Sequence, residues 1–221
     1  HWEELKLRIR QGLLMTAITM LPLSAIMIAL SLPIVRIVYE RFAFDANASR
    51  LTALVFIAYS IGMFVYLGRD VLVRVFYGLS DADTPFRISI INIFVNAVLC
   101  FLLFRPFGAP GLVLATVGVN LFSMTVMLWI LNRRLRGLPL AQWSVPFLGL
   151  VGASTIAGLV AWATLQGLER LWGNQGLVIL LLQLAIASGA GFIVYTLIAM
   201  QLKLPELTQF SDRIKQKISR S

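Results

Sequence analysis

Six long apolar stretches, joined by short polar connections, constrain this chain more than any other feature. They run at about 12–32, 51–79, 85–104, 111–131, 145–165 and 176–200. A helix needs ~20 mostly apolar residues to cross a bilayer, and it satisfies its backbone hydrogen bonds within itself. The composition agrees: 59% of the 221 residues are hydrophobic, 13% are charged, and the mean hydropathy is +0.85. Soluble domains sit near ~45–50% apolar and ~25% charged. No polar stretch is long enough for a separate soluble domain. The expectation is an all-α, polytopic transmembrane bundle of six spans.

The basic residues orient these spans. An even number of spans puts both ends on one side. That side holds Lys6, Arg8, Arg10, Arg87, Arg133, Arg134, Arg136, Lys203, Arg213, Lys215, Lys217 and Arg220, against Arg36, Arg41, Arg50, Arg105 and Arg170 on the other. Twelve against five predicts that both ends are cytoplasmic. The net charge of +9 therefore reflects membrane orientation rather than nucleic-acid binding. Trp129, Trp143, Trp162 and Trp172 fall near span ends, where an indole suits the headgroup level. Cys100 is a lone cysteine inside a span, so neither a disulfide framework nor a thiolate metal site is expected. The chain opens on His1 and a charged segment, without methionine or signal peptide, and is expected to be the C-terminal part of a longer protein.

Two connections are more than turns. Between 33 and 49, Ile34, Val35, Ile37, Val38 and Phe42 mix with Arg36, Glu40 and Arg41, which predicts a short interfacial helix. After Pro205, Leu207, Phe210, Ile214 and Ile218 recur at helical spacing opposite Arg213, Lys215 and Lys217, as in a basic amphipathic tail. Pro22 lies inside the first span and removes one backbone hydrogen bond there.

The second span carries charge where charge is expensive: Arg69, Asp70 and Arg74. Arg69 lies ~15 Å from the end of its span, near the middle of a ~30 Å core. A buried charge of this kind costs at least ~2.5–3.5 kcal/mol on insertion scales, so it faces a cavity or a partner. Tyr59, Tyr66, Asp70, Arg74 and Tyr77 share one helical stripe, and Asp70 and Arg74 are placed to neutralise each other at i,i+4. Arg74 is near enough to the span end to reach the headgroups. Ser89, Asn92 and Asn96 share a face of the third span, as do Asn120 and Ser123 in the fourth. These either line a polar lumen or hydrogen-bond between helices. The candidate lumen residues are Tyr66, Arg69, Asp70, Arg74, Asn92 and Asn96. Small residues at four-residue spacing (Gly149, Ala153 and Ala157; Ala185 with Gly189; Ala187 with Gly191) predict that the last two spans pack closely.

Asp81 and Asp83 form an Asp-x-Asp, the pattern of a metal-dependent glycosyltransferase. The loop is too short to seat a nucleotide. The better expectation is a turn in which Asp83 or Thr84 caps the next helix, with Pro85 at its first position. No nucleophile with a base, phosphate loop or histidine cluster is present, so a transporter without metal or cofactor is expected rather than an enzyme.

The stretch Arg74-Val75-Phe76-Tyr77-Gly78-Leu79-Ser80-Asp81-Ala82-Asp83-Thr84-Pro85-Phe86-Arg87 resembles a segment of the MurJ (MviN) family of lipid II flippases. Pro33-Ile34-Val35-Arg36 with Glu40-Arg41 and Phe44-Asp45-Ala46 is similar to that family's outer connection, and Gly111-Leu112-Val113-Leu114-Ala115-Thr116 to one of its span starts. In this chain Asp70 stands where the family is commonly basic, with Arg69 displaced by one residue. The resemblance implies a fourteen-helix protein of the MOP exporter superfamily, with two lobes and two extra C-terminal helices, of which these are the last six. It implies four spans of an incomplete, MATE-like C-terminal lobe over 1–140, a two-helix hairpin over 141–204 that helps form an apolar groove for a lipid tail, and a cytoplasmic tail over 205–221. The implied function is alternating-access translocation of lipid II, an undecaprenyl-pyrophosphate-linked peptidoglycan precursor, across the bacterial cytoplasmic membrane. The implied partners are lipid II, membrane lipids and the N-terminal lobe of the same protein. The alternatives are another exporter of the superfamily, for oligosaccharide-lipids or drugs, and a non-transporting scaffold for cell-wall enzymes.

Overall fold

The computed structural model describes residues 2–39, 46–173 and 176–202. Among these it contains seven helices and no strand: α1 (Trp2–Ala29), α2 (Ser31–Tyr39), α3 (Ala46–Gly78), α4 (Asp83–Phe107), α5 (Ala109–Arg134), α6 (Leu140–Trp172) and α7 (Leu177–Gln201). All but α2 are long and apolar enough to cross a membrane. The expected amphipathic tail at 205–221 lies outside the described residues.

The helix ends depart from the apolar stretches for local reasons. α1 begins well before its apolar stretch because Lys6 pairs with Glu3 and Arg8 with Glu4, each at 2.8 Å, along the helix surface. The connection after α1 supplies the predicted short helix, α2. Its Pro33 falls in the first turn, where a missing N–H costs no hydrogen bond. α6 runs for 33 residues, about 50 Å at 1.5 Å per residue, so it outreaches the hydrocarbon core and encloses Glu169 and Arg170. It stops at Gly173, whose N–H closes the last turn on the Glu169 carbonyl at 3.0 Å and whose φ of 71° carries the chain out of the helix.

In space the spans follow the order α4, α5, α3, α1, α6, α7, each packed on the next, with α2 set against α3 and α7. One core cluster gathers Ile9, Leu72, Phe76, Met127, Leu131 and Trp143. A second joins α1 to α6 and α7 through Leu14, Ala17, Leu150, Ala153, Ala157, Tyr195 and Ala199. A third continues that seam through Ile26, Leu30, Ala161, Leu165 and Ala187. Trp143 is thus a core residue and not a headgroup anchor, whereas Trp129, Trp162 and Trp172 are about half exposed.

The turn from α3 to α4 also differs from expectation. α4 starts at Asp83, so Pro85 is its third residue rather than its first. The capping side chain is Asp81, not Asp83 or Thr84. Its Oδ1 accepts the Thr84 backbone N–H at 3.0 Å and its Oδ2 the Thr84 hydroxyl at 2.7 Å. Ser80 makes this possible by adopting a φ of 58°.

Candidate translocation site

Arg69 projects from α3 toward the α4–α5 pair. Its Nε donates to the Ser123 hydroxyl at 3.2 Å, and a terminal nitrogen lies 3.5 Å from the Ser89 hydroxyl. Ser123 is fully buried on α5. Ser89 spends its own proton on the Pro85 carbonyl at 2.9 Å, which leaves its oxygen free to accept. Helical periodicity had already put these two serines on polar faces. The fold makes them the seat of Arg69, nine residues before the end of α3. Two neutral hydroxyls orient a guanidinium but leave its charge intact, and one forked cation ties three helices together.

The nearest carboxylate is Asp70, at 3.8 Å from an Arg69 terminal nitrogen. The expected Asp70–Arg74 pair is not formed. Asp70 leans to its sequence neighbour instead, and among the described residues no carboxylate is within ion-pair distance of Arg74. The Arg69 side chain is 24% exposed and that of Asp70 55%, while Arg74, Tyr59 and Tyr77 also lie open. The stripe predicted on α3 therefore forms one exposed, charged face of a spanning helix. Tyr66 lies within it but turns inward over Gly62, and its hydroxyl is enclosed without a hydrogen-bond partner. Asn92 is half-buried, with an enclosed carbonyl oxygen that likewise lacks a partner. Asn96 accepts from the Cys100 thiol at 3.2 Å, and Asn120 donates to the Thr116 carbonyl at 2.8 Å, so both are satisfied within their own helices. Of the six candidates, Arg69 and Asp70 come together and Arg74 shares their open face. Tyr66, Asn92 and Asn96 make no contact with Arg69 among the hydrogen bonds of the described residues.

At the end of the bundle carrying the N-terminus of α1, Arg134 on α5 closes on Asp81 at 2.6 Å. Donation from the Thr84 hydroxyl and backbone N–H, then Arg134, hold the Asp81 carboxyl below its ordinary pKa. The Asp-x-Asp is a clasp between the α3–α4 turn and α5, and nothing in the sequence marks Arg134 as its partner. Nearby, a cavity of about 180 Å³ lies between α1, α3, α5 and α6, lined by Arg10, Leu14, Phe64, Met124, Trp143 and Phe147. Among the described residues no cluster of His, Cys, Asp and Glu has the size of a metal site.

The last two spans pack as their small residues suggest, on one of the two proposed stripes. Gln183, Ala187, Gly191, Tyr195 and Ala199 recur every four residues and are all buried. Ala185 is exposed, and nothing lies within 4 Å of a Cβ added at Gly189. At Gly191 such a Cβ would stand 3.0 Å from the Ala157 carbonyl oxygen, and at Gly158 3.0 Å from that of Ala25. Gly158, outside the predicted stripe, is thus the glycine that lets α6 meet α1. The opposite faces present Leu148, Ile156, Leu159, Leu181, Leu182, Ile193 and Leu197, all exposed. Tyr195 reaches across to α1 and donates to the Ile18 carbonyl at 2.8 Å.

The comparisons with known proteins agree with this architecture. Residues 1–200 match the family model described as Lipid II flippase MurJ. A probable lipid II flippase MurJ from Synechocystis is 49% identical over 99% of this chain and 41% of its own length. One from Rhizobium tropici is 26% identical over 89% of this chain and 37% of its own. A solved structure of lipid II flippase MurJ in an inward closed conformation superposes with a TM-score of 0.69 at 22% identity, covering 90% of this chain and 39% of that one. The chain thus spans about two fifths of the length of these relatives. It is a multi-pass membrane protein, and it belongs to the MurJ family.

Proposed function

We propose that this chain is the C-terminal part of a lipid II flippase of the bacterial cytoplasmic membrane, with both of its ends cytoplasmic. The observation that carries the proposal is Arg69: a mid-span guanidinium seated on Ser89 and Ser123, a quarter exposed, beside the open face of Asp70 and Arg74. A spanning helix does not turn two or three charges to lipid, so this face meets water, a substrate or another lobe. The surplus of positive charge suits an anionic headgroup such as a pyrophosphate. Residues 1–140 supply the lobe that bears this face, and 141–204 the hairpin whose exposed leucines and isoleucines suit a lipid tail. The mechanism is noncovalent. Two lobes rock about the headgroup, and Arg69 lowers the cost of carrying its charge through the core. Tyr66 and Asn92 hold enclosed polar atoms without partners, and Asn96 lies one turn beyond Asn92 on α4.

The test is lipid II translocation by the complete protein in proteoliposomes. Arg69→Ala removes the charge and leaves both hydroxyls, and transport is expected to fall about tenfold to a hundredfold, as for loss of a desolvated ionic contact. Full transport by a stably folded Arg69→Ala protein removes Arg69 from the mechanism. An unchanged leaflet distribution of lipid II after depletion of the protein favours a scaffold instead.

A further inference from the structure

Pro22 lies in the interior of α1 and is fully buried. In an α-helix the N–H of residue 22 would bond to the carbonyl of residue 18, and proline has no N–H to give. The Ile18 carbonyl is therefore the one that the proline leaves open, within a membrane-spanning helix, where an unpaired backbone carbonyl is costly. This is the carbonyl that receives the Tyr195 hydroxyl at 2.8 Å. Tyr195 is 6% exposed, so its hydroxyl is as dependent on the carbonyl as the carbonyl is on it.

The neighbouring packing makes the contact a clamp. Beyond Pro22, the Ala25 carbonyl lies against Gly158 of α6, and the Ile26 side chain reaches to within 3.2 Å of a Cβ position at Gly191 of α7. Before it, Ile18 takes the tyrosine. The α6–α7 pair thus grips α1 on both sides of the break. We propose that the Tyr195 hydroxyl is a latch on the Pro22 break. While it occupies the Ile18 carbonyl, the hairpin and α1 form one body. Bending of α1 at Pro22 requires α7 to let go, so the lobe bends only when the tail-binding hairpin is released from it. Tyr195 is then a positioning residue for transport. That last step rests on the flippase reading, whereas the latch itself does not.

The experiment is a double-mutant cycle in the complete protein, reconstituted in lipid, with Tyr195→Phe and Pro22→Ala. Spin labels on α1 and α7 report their separation, and thermal unfolding reports stability. Tyr195→Phe keeps the ring and removes only the hydroxyl. In the Pro22 background it is expected to raise the population with α7 displaced from α1 by about tenfold, as for an enclosed carbonyl left unsatisfied. Pro22→Ala restores an N–H that closes the Ile18 carbonyl within its own helix, so in that background Tyr195→Phe is expected to change the distance distribution by less than about twofold. A Tyr195→Phe effect of equal size in both backgrounds, or none in either, overturns the latch. Because the cycle uses no substrate, coupling between the two sites in a protein that moves no lipid II supports the latch and refutes the flippase reading alone.

Discussion

Two seams of this bundle differ in what crosses them. Where α3 meets α4 and α5, a forked cation spans the gap to two serines, and the face beside it stays open. Where α1 meets α6 and α7, Ala153, Ala157, Gly158, Ala187 and Gly191 bring backbones together, and one tyrosine hydroxyl supplies the polar contact. In lipid, apolar surface gains little by leaving the solvent, so helices associate through close van der Waals packing and hydrogen bonds. The small-residue seam relies on the first resource, whereas the α3–α5 seam adds a bonded cation to close packing of Gly62 on Val117 and Gly68 on Met124. A close-packed seam is intolerant of volume and indifferent to charge. A seam that carries a cation depends also on where its charge is held. The first suits a rigid body, and the second a surface that exchanges partners.

That contrast breaks most easily at Gly191. Gly191→Leu would drive a side chain into the Ala157 carbonyl and the Ala161 methyl, and is expected to destabilise the folded protein by about 3 kcal/mol, read as a lowered thermal midpoint in detergent. A stable Gly191→Leu protein would mean that the two helices do not meet this closely in the membrane.

Ser123→Ala probes the other seam with a smaller change. It removes the acceptor for Arg69 Nε from a fully buried position and is expected to cost about 1–2 kcal/mol in thermal unfolding, with transport reduced alongside. Loss of stability without any change in transport would make the Arg69 seat purely structural and erase the distinction between the seams.

The smallest effect sharpens the comparison within one helix. Gly189 is two residues from Gly191, yet nothing lies within 4 Å of a Cβ added there. Gly189→Ala is expected to be neutral or to stabilise by up to about 1 kcal/mol, because alanine loses less backbone entropy than glycine on forming a helix. Thermal unfolding of Gly189→Ala beside Gly191→Ala shows which stripe is the seam, and equal losses at both would reject the assigned face.

The spans and the charged stripe on α3 were legible from the residues because they depend on local quantities: a run of apolar side chains and a helical period. Arg69 was conspicuous for the same reason, as part of a charged cluster inside an apolar run. Its companions Ser89 and Ser123 were visible only as polar faces. Which polar group each side chain finds was not legible. Asp70 and Arg74 have the spacing of an ion pair, yet Asp70 turns to Arg69. Asp83 and Thr84 have the place of a cap, yet the cap is Asp81, with Arg134 behind it. Ala185 with Gly189 and Ala187 with Gly191 have identical spacing, and only the rotation of α7 against α6 chooses between them.

The sequence by itself determined that this is a membrane-spanning helical protein with charges inside one span and a final pair of spans rich in small residues. Hydrophobicity and periodicity act within a single helix and need no partner. Only the tertiary structure decided how the buried polar groups are paired. The carbonyl freed by Pro22 is served by a hydroxyl 177 positions away, and Arg69 is served by serines 20 and 54 positions away. A buried polar atom must find a partner or bear the cost of its desolvation, and the partner it finds is whichever donor or acceptor the packed helices bring within hydrogen-bonding distance.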